Sequence, residues 1–406
     1  MERRAFLQGL GTMACSAAAH PLMSTVTLAQ GQGLGPNRLV VVILRGGMDG
    51  LDVVRPIGAR DYGLLRPYST PGALPLEGQF ALHPSLDGLM GLWQAGQLGF
   101  VHATSTPYRD KRSHFDGQIM LESGTGMDVV KGGVRDGWLN RMLQAVPGLQ
   151  SETAYAIGSE ALPLLQGAGP SLSWTPEVQL SLSAQSKLLL DAVYHDDDLF
   201  RENAAEAIEI SESLTEAQMS DEQALPEAGE GSGQMAPAPS MRGVDDLVDF
   251  AAGRLSGATR IAAFSLSGWD THRGQANAIK RPLGQLQRTI LRLQDQLGPD
   301  VWARTTLVAM TEFGRTAREN GTGGTDHGTG GLMVMAGGAL RGGKVYGKWP
   351  GLAEADLYDR RDLLPTSDVR SWSAWAMRGL YGLDKSLLET AVFPGLDMGD
   401  DPRIIA

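Results

Sequence analysis

The sequence predicts an α/β fold, a mostly parallel central sheet flanked by helices on both faces, and two observations carry that prediction. Apolar runs of strand length, rich in β-branched residues, recur along the 406 residues and stop at glycine or polar loops. Between two of these runs lie Ile279, Leu283, Leu286, Ile290, Leu293 and Leu297, spaced as one face of a helix. Strand, helix, strand is a crossover unit, and a crossover joins parallel neighbours.

The runs come in order. Arg38 to Leu44 reads as a buried central strand that enters the loop Arg45-Gly46-Gly47, and Leu98 to Ala103 ends at Thr104-Ser105-Thr106-Pro107. Arg260 to Leu266 ends at Ser267-Gly268-Trp269, and Thr305 to Met310 and Leu332 to Ala336 complete the set. With 53 glycines, the chain has many places where backbone can approach backbone or a ligand closely.

Composition narrows the function. The chain is 42% hydrophobic and 20% charged, a globular balance, and 35 Lys+Arg against 46 Asp+Glu leave a net charge of -11. Such a surface lacks the basic field that nucleic acid or an anionic membrane requires, so no nucleic-acid partner is expected.

The N-terminus sets an expected compartment. Arg3-Arg4-Ala5-Phe6-Leu7 followed by an apolar run to Met23 and small residues at Thr27-Leu28-Ala29 reads as a bacterial export signal over residues 1–29, of twin-arginine type. The twin-arginine export machinery is then a partner and the location periplasmic or secreted. Gly9, Gly11, His20 and Pro21 break the run, so the mature chain is expected to carry no transmembrane segment. The only cysteine, Cys15, lies inside this signal, which removes disulfides and thiolate chemistry from the mature chain.

One stretch stands outside the core pattern. From Glu202 to Glu230 there are nine acids, with no Lys or Arg between Arg201 and Arg242, followed by Gly231-Ser232-Gly233 and Ala236-Pro237-Ala238-Pro239. Residues 196–241 therefore read as an acidic helix and flexible linker inserted into a domain spanning 37–400.

Ligands of open parallel sheets bind outside the carboxyl ends of the strands, and the polar residues of interest follow strands. Asp49 sits in the glycine loop after the first, where it either approaches a ligand or satisfies its own turn amides. Asp270 and His272 are two apart after the third, and in an extended segment both reach one ion; the alternative is a structural pair. Glu312 and Arg315 follow the fourth, and Asp326 and His327 precede the fifth. The Arg315 fork can hold an anion or an acid of the protein itself, and Arg45 offers a second guanidinium. Ser113, after the second strand, suits a nucleophile at a helix start or a plain N-cap. His114 beside it suits a metal ligand, a proton carrier or a group that orients the loop. His83, His102 and His195 lack comparable company and read as structural.

Taken together, Leu44-Arg45-Gly46-Gly47-Met48-Asp49-Gly50-Leu51-Asp52, Arg112-Ser113-His114-Phe115-Asp116, Gly268-Trp269-Asp270-Thr271-His272, Thr311-Glu312-Phe313-Gly314-Arg315-Thr316, Asp326-His327-Gly328 and Asp362-Leu363-Leu364-Pro365-Thr366-Ser367-Asp368 resemble the exported domain-of-unknown-function family 1501. That family is itself similar to the alkaline phosphatase and sulfatase superfamily. The resemblance implies an alkaline-phosphatase-like sheet and a divalent metal, zinc, manganese, magnesium or calcium. Its ligands are expected among Asp49, Asp270, His272, Glu312, Asp326 and His327, with Ser113, His114 and Arg315 as catalytic groups. It also implies a small anionic ester as substrate. The expected activity is that of an exported metal-dependent hydrolase or transferase on a phosphate or sulfate ester; the alternative is a non-catalytic periplasmic binding or assembly protein with a degenerate site. One departure favours the alternative: Phe313 stands where superfamily hydrolases typically carry a histidine ligand.

Overall fold

The expected strands form, and the sheet they build is wider than the sequence announces. A computed structural model describes residues 33–69, 71–109, 111–126, 136–175 and 239–406. The export-signal segment 1–29 and the acidic segment as far as residue 238 lie outside the described residues.

Strand β1 (Arg38–Leu44) is buried along its whole length, as its uninterrupted apolar run requires. Strand β2 is Leu98–Ser105, β3 Ala154–Ile157, β4 Leu172–Trp174, β5 Ile261–Leu266, β6 Thr305–Met310, β7 Gly331–Ala336, β8 Lys344–Tyr346 and β9 Ser367–Asp368. They lie in the order β8-β2-β7-β6-β1-β5-β3-β4, with β9 also paired to β2. All pairings are parallel except those of β7, which runs antiparallel to both β2 and β6. The short strands β3, β4, β8 and β9 were not expected, since two to four residues leave no readable run.

The inversion of β7 matters for the site. Its first residue, Gly331, is level with Thr104 near the end of β2, so the loop entering β7 lies at the same edge as the loops leaving β1, β2, β5 and β6.

Side chains on β1 alternate between two cores. Val40, Val42 and Leu44 join one apolar cluster with Val244, Val248 and Leu255 of helix α3 (Met241–Leu255) and Leu283, Leu286, Ile290, Leu293 and Leu297 of helix α4 (Lys280–Trp302). The six residues of the sequence pattern, from Ile279 to Leu297, are all buried. Arg288 and Arg292 of α4 reach Asp245 and Asp249 of α3 across the outer surface. Leu39, Val41 and Ile43 are equally buried but stand outside that cluster, and helix α5 (Val369–Tyr381) packs against β1 and β6. Helices α1 (His114–Ser123) and α2 (Trp138–Ala145) follow β2 and complete the main elements. No described helix is long and apolar enough to cross a membrane.

Candidate metal centre

Four loops meet at the carboxyl edge of the sheet. The loop after β1 contributes backbone, α1 brings His114, the loop after β5 brings Asp270 and His272, and the loop before β7 brings His327. The glycines make that meeting possible: a Cβ on Gly314 would lie 1.8 Å from the carbonyl oxygen of Gly330, so only glycine lets these two strands of loop touch.

His114, Asp270 and His327 each present a ligand atom within 4.8 Å of the others, a group able to hold a metal ion. His272 stands beside them. Its Nε2 lies 3.0 Å from Asp270 Oδ1 and 2.9 Å from His327 Nε2, while His327 Nε2 is 3.2 Å from the same carboxylate oxygen. His114 Nε2 is buried, lies 3.4 Å from Asp270 Oδ2 and has no hydrogen-bond partner.

The far nitrogen of each ring is occupied. His114 Nδ1 is 2.8 Å from Glu312 Oε1, His327 Nδ1 is 2.9 Å from the carbonyl oxygen of Arg112, and His272 Nδ1 is 3.5 Å from Asp326 Oδ1. Each acceptor can take the Nδ1 proton, so that Nε2 is the nitrogen turned toward the cluster, the arrangement that orients metal-binding imidazoles. Arg112 reaches its position with φ of 56°, a left-handed backbone unusual for a non-glycine residue.

Electrostatics agree with this geometry. Burial works against a charge on His114, but the Asp270 and Glu312 carboxylates override it and push its pKa up to about 9. Burial likewise opposes ionisation of Asp270, yet the facing rings of His114 and His327 and the nearby Arg315 hold it well below the usual carboxylate range. Carboxylates that favour a proton on His114 favour any cation placed at the same point.

The remaining expected residues divide. Glu312 has no exposure and accepts from Gly46 N at 2.9 Å and Thr311 Oγ1 at 2.9 Å, so it supports His114 from behind instead of facing the cluster. Asp326 accepts from Asn320 Nδ2 at 3.0 Å and supports His272 in the same way. Asp49 stands in a different network. It caps the short helix Gly50–Val53, pairs with buried Arg66 through both oxygens at 2.5 and 3.0 Å, and accepts from Gln275 at 2.7 Å.

The Arg315 guanidinium is fully buried and donates to the carbonyls of Gly46, Gly47, Trp269 and Thr325 and to Asp270 Oδ1 at 2.5 Å, so it fixes the loops and the carboxylate from within the fold. Arg45 is equally committed, to Glu160, Glu122, Gln118 and the carbonyl of Ala161. Ser113 takes its helix-start position: its Oγ accepts from Asp116 N at 3.3 Å as the N-cap of α1. Phe313 is buried with its ring 5.1 Å from that of His114 and 4.9 Å from that of His327, forming an apolar wall of the cluster. The last motif also finds a place: Asp362 Oδ2 accepts from Thr329 Oγ1 at 2.9 Å and so steadies the loop entering β7.

His102 lies in the core with a partner for each ring nitrogen. His102 Nε2 donates to the Val54 carbonyl at 2.9 Å, Nδ1 accepts from Ala103 N at 3.0 Å, and the ring packs against Phe80 and Trp349. The carbonyl of Arg112 and the amides of Asn320 and Gln118 escaped the sequence reading; backbone groups and neutral amides leave no charged signature to follow.

An α/β sheet carrying an imidazole and carboxylate cluster at its strand ends is thus the class of this protein. A family model described as a protein of unknown function, DUF1501, matches residues 36–383, and the chain belongs to that family. Similar solved structures include a protein in the alkaline phosphatase superfamily from Vibrio parahaemolyticus, 13% identical, covering 74% of this chain and 60% of that one at a TM-score of 0.35. The lipoteichoic acid synthase LtaP from Listeria monocytogenes is 10% identical over 69% of this chain and 56% of its own, at 0.32. The alkaline phosphatase of the Antarctic bacterium TAB5 is 10% identical over 74% and 90%, at 0.30. This chain therefore spans less than two thirds of the first two. No curated protein matches it in sequence.

Proposed function

We propose that this protein is an exported metal-dependent hydrolase or transferase acting on a phosphate or sulfate ester. One observation supports the reading above others: the rings of His114, His272 and His327 turn one nitrogen each toward a single carboxylate, and one of those nitrogens, His114 Nε2, is buried without a hydrogen-bond partner. An orphaned buried polar atom is costly unless something fills it, and His114, Asp270 and His327 are the residues that would hold a divalent cation. Bound there, the cation supplies the concentrated positive charge that steadies an ester's developing negative oxygen.

The chain's own groups divide the remaining work. Glu312, Asp326 and the Arg112 carbonyl keep the rings aligned. Lys111, Arg112 and Arg273 are exposed near the cluster in sequence and take over the attraction of an anionic ester from the committed Arg45 and Arg315. Ser113 is the proposed nucleophile: its Oγ accepts from the Asp116 amide and stands at the start of α1, where the helix dipole favours negative charge. Export by a twin-arginine signal at Arg3-Arg4, with the activity in the periplasm or outside the cell, is part of the proposal, and residues 37–400 are proposed as a single domain interrupted by 196–241.

The test is turnover of aryl phosphate and sulfate mono- and diesters by the metal-loaded mature chain. Catalysis that disappears in both Ser113→Ala and Asp270→Asn supports the proposal. Absence of turnover with metal bound overturns it and favours the second reading, a non-catalytic binding or assembly protein, for which the committed arginines and the Phe313 wall speak.

A further inference from the structure

We infer that a cleft at the edge of the sheet away from the imidazole cluster is a second binding site, for a multiply charged oxyanion of the phosphate or sulfate kind, held by the guanidinium groups of Arg341, Arg378 and Arg403. The inference is independent of the metal and ester chemistry proposed above.

The direction of β7 sets the place of this cleft. Its first residue is level with Thr104 near the end of β2 and its last, Ala336, with Leu98 at the start, so the chain beyond Ala336 emerges at the opposite edge from the cluster. There Leu340 bridges Ile405, and Arg341 N donates to the Ile404 carbonyl at 2.8 Å. Helix α5 ends beside them. A Cβ on Gly379 would lie 2.6 Å from the Ile405 side chain, so the bare glycine lets this segment rest on the helix. Arg341, the end of α5 and residues 401–405 enclose a cavity of about 530 Å³, within the roughly 300–1,000 Å³ of small-molecule sites.

The charge of the cavity is the reverse of the chain's. Three arginines line it against one carboxylate, Asp401, in a sequence with 35 Lys+Arg and 46 Asp+Glu. That carboxylate is engaged locally: its Oδ1 accepts from Arg403 N at 2.7 Å and steadies a turn in which Arg403 has a φ of 54°, a left-handed backbone unusual for a residue with a side chain.

The helix accounts for one of the three arginines. Arg378 lies in the last turn of α5, where a cation complements the dipole, and its Nη1 donates to the Leu383 carbonyl at 2.7 Å. Arg341 and Arg403 come from other segments and are exposed, and their guanidiniums have no ion pair or hydrogen bond among the described residues. The carbonyls ending α5 amount to about half a negative charge, which three guanidiniums outweigh. A cation would meet those three like charges, and an apolar ligand would strip them of water. An oxyanion instead relieves their repulsion and matches their planar forks. The cavity is larger than a bare phosphate or sulfate, so pyrophosphate fills it better than either.

The test is calorimetric titration of the metal-free mature chain with phosphate, sulfate and pyrophosphate, and cosedimentation with phosphatidylglycerol and phosphatidylcholine vesicles. Pyrophosphate should bind at one site per chain, more tightly than phosphate, and more weakly as salt is raised. Arg341→Gln and Arg403→Gln should each weaken it several-fold, and the double variant by ~10–100-fold. Arg341→Lys, which keeps the charge and loses the fork, should retain part of the affinity, and Arg60→Gln, an exposed position on another loop, all of it. Melting curves confirm that each variant folds. Binding to phosphatidylglycerol vesicles that the double variant abolishes supports the site and assigns its oxyanion to a lipid headgroup; pyrophosphate binding alone assigns it to a soluble ligand. Absence of binding to both, or wild-type affinity in the folded double variant, overturns the inference.

Discussion

Nδ1 of His114 lies 2.8 Å from Oε1 of Glu312, a carboxylate with no exposure to solvent. A buried acid at that distance sets which nitrogen of the ring faces the cluster. Glu312→Gln keeps the shape and removes the charge, so metal affinity should fall ~10–100-fold. Stability should fall by about 1–3 kcal/mol, because the buried Thr311 hydroxyl and Gly46 amide must share a neutral acceptor. Metal titration and urea unfolding of the same preparation check both effects; unchanged affinity would detach Glu312 from the centre.

Asp49 and Arg66 provide the contrasting case. Asp49→Asn leaves a fully buried guanidinium short of its counter-ion, and the expected cost is about 3–5 kcal/mol. The metal bound per folded chain should stay as in the wild type, because this carboxylate does not face the cluster. The urea midpoint gives the first quantity and elemental analysis of the folded fraction the second. Loss of metal without loss of stability would restore Asp49 as a ligand.

Acid should weaken the fold through His102. Burial pushes its pKa down to about 4, against an ordinary value near 6.5. Below about pH 6.5 the unfolded chain takes up a proton that the folded chain refuses until about pH 4. The contribution is therefore complete above 6.5 and declines as pH falls between these values, by about 3 kcal/mol in all. Urea midpoints from pH 7 to pH 4.5 should drop more steeply in the wild type than in His102→Gln, and the ring's proton resonances should not titrate above pH 5.

Gly324 tests how closely the loops approach. A Cβ there would sit 2.2 Å from the carbonyl carbon and oxygen of His272, whereas one on Gly321 meets nothing within 4 Å. Gly324→Ala should cost about 1–3 kcal/mol and displace His272, weakening metal binding, while Gly321→Ala should change neither. Melting curves and metal titrations of the two variants side by side decide it.

Long runs made the scaffold readable. β1 and β6 begin and end where their apolar stretches do, and α4 follows its six spaced residues. The direction of β7 had no such signature, since a strand's sequence is the same whichever way its neighbours run. The site was legible as a set of residue types at strand ends, but not as roles. Whether a carboxylate binds an ion or braces a ring depends on which side of the imidazole it meets, and this separated Asp270 from Glu312 and Asp326. The pairing of Asp49 with Arg66, which reaches it from a different loop, and the carbonyl acceptors around Arg315 leave no mark in a sequence.

The inverted strand has a kinetic consequence. His114 and Glu312 are 198 positions apart, and His327 arrives only when β7 is seated between β2 and β6. Contacts of such long range are the slowest to form, because loop closure must precede them. A metal ion held there would be acquired after the sheet is complete and would act as a latch, slowing escape from the native state without hastening arrival there.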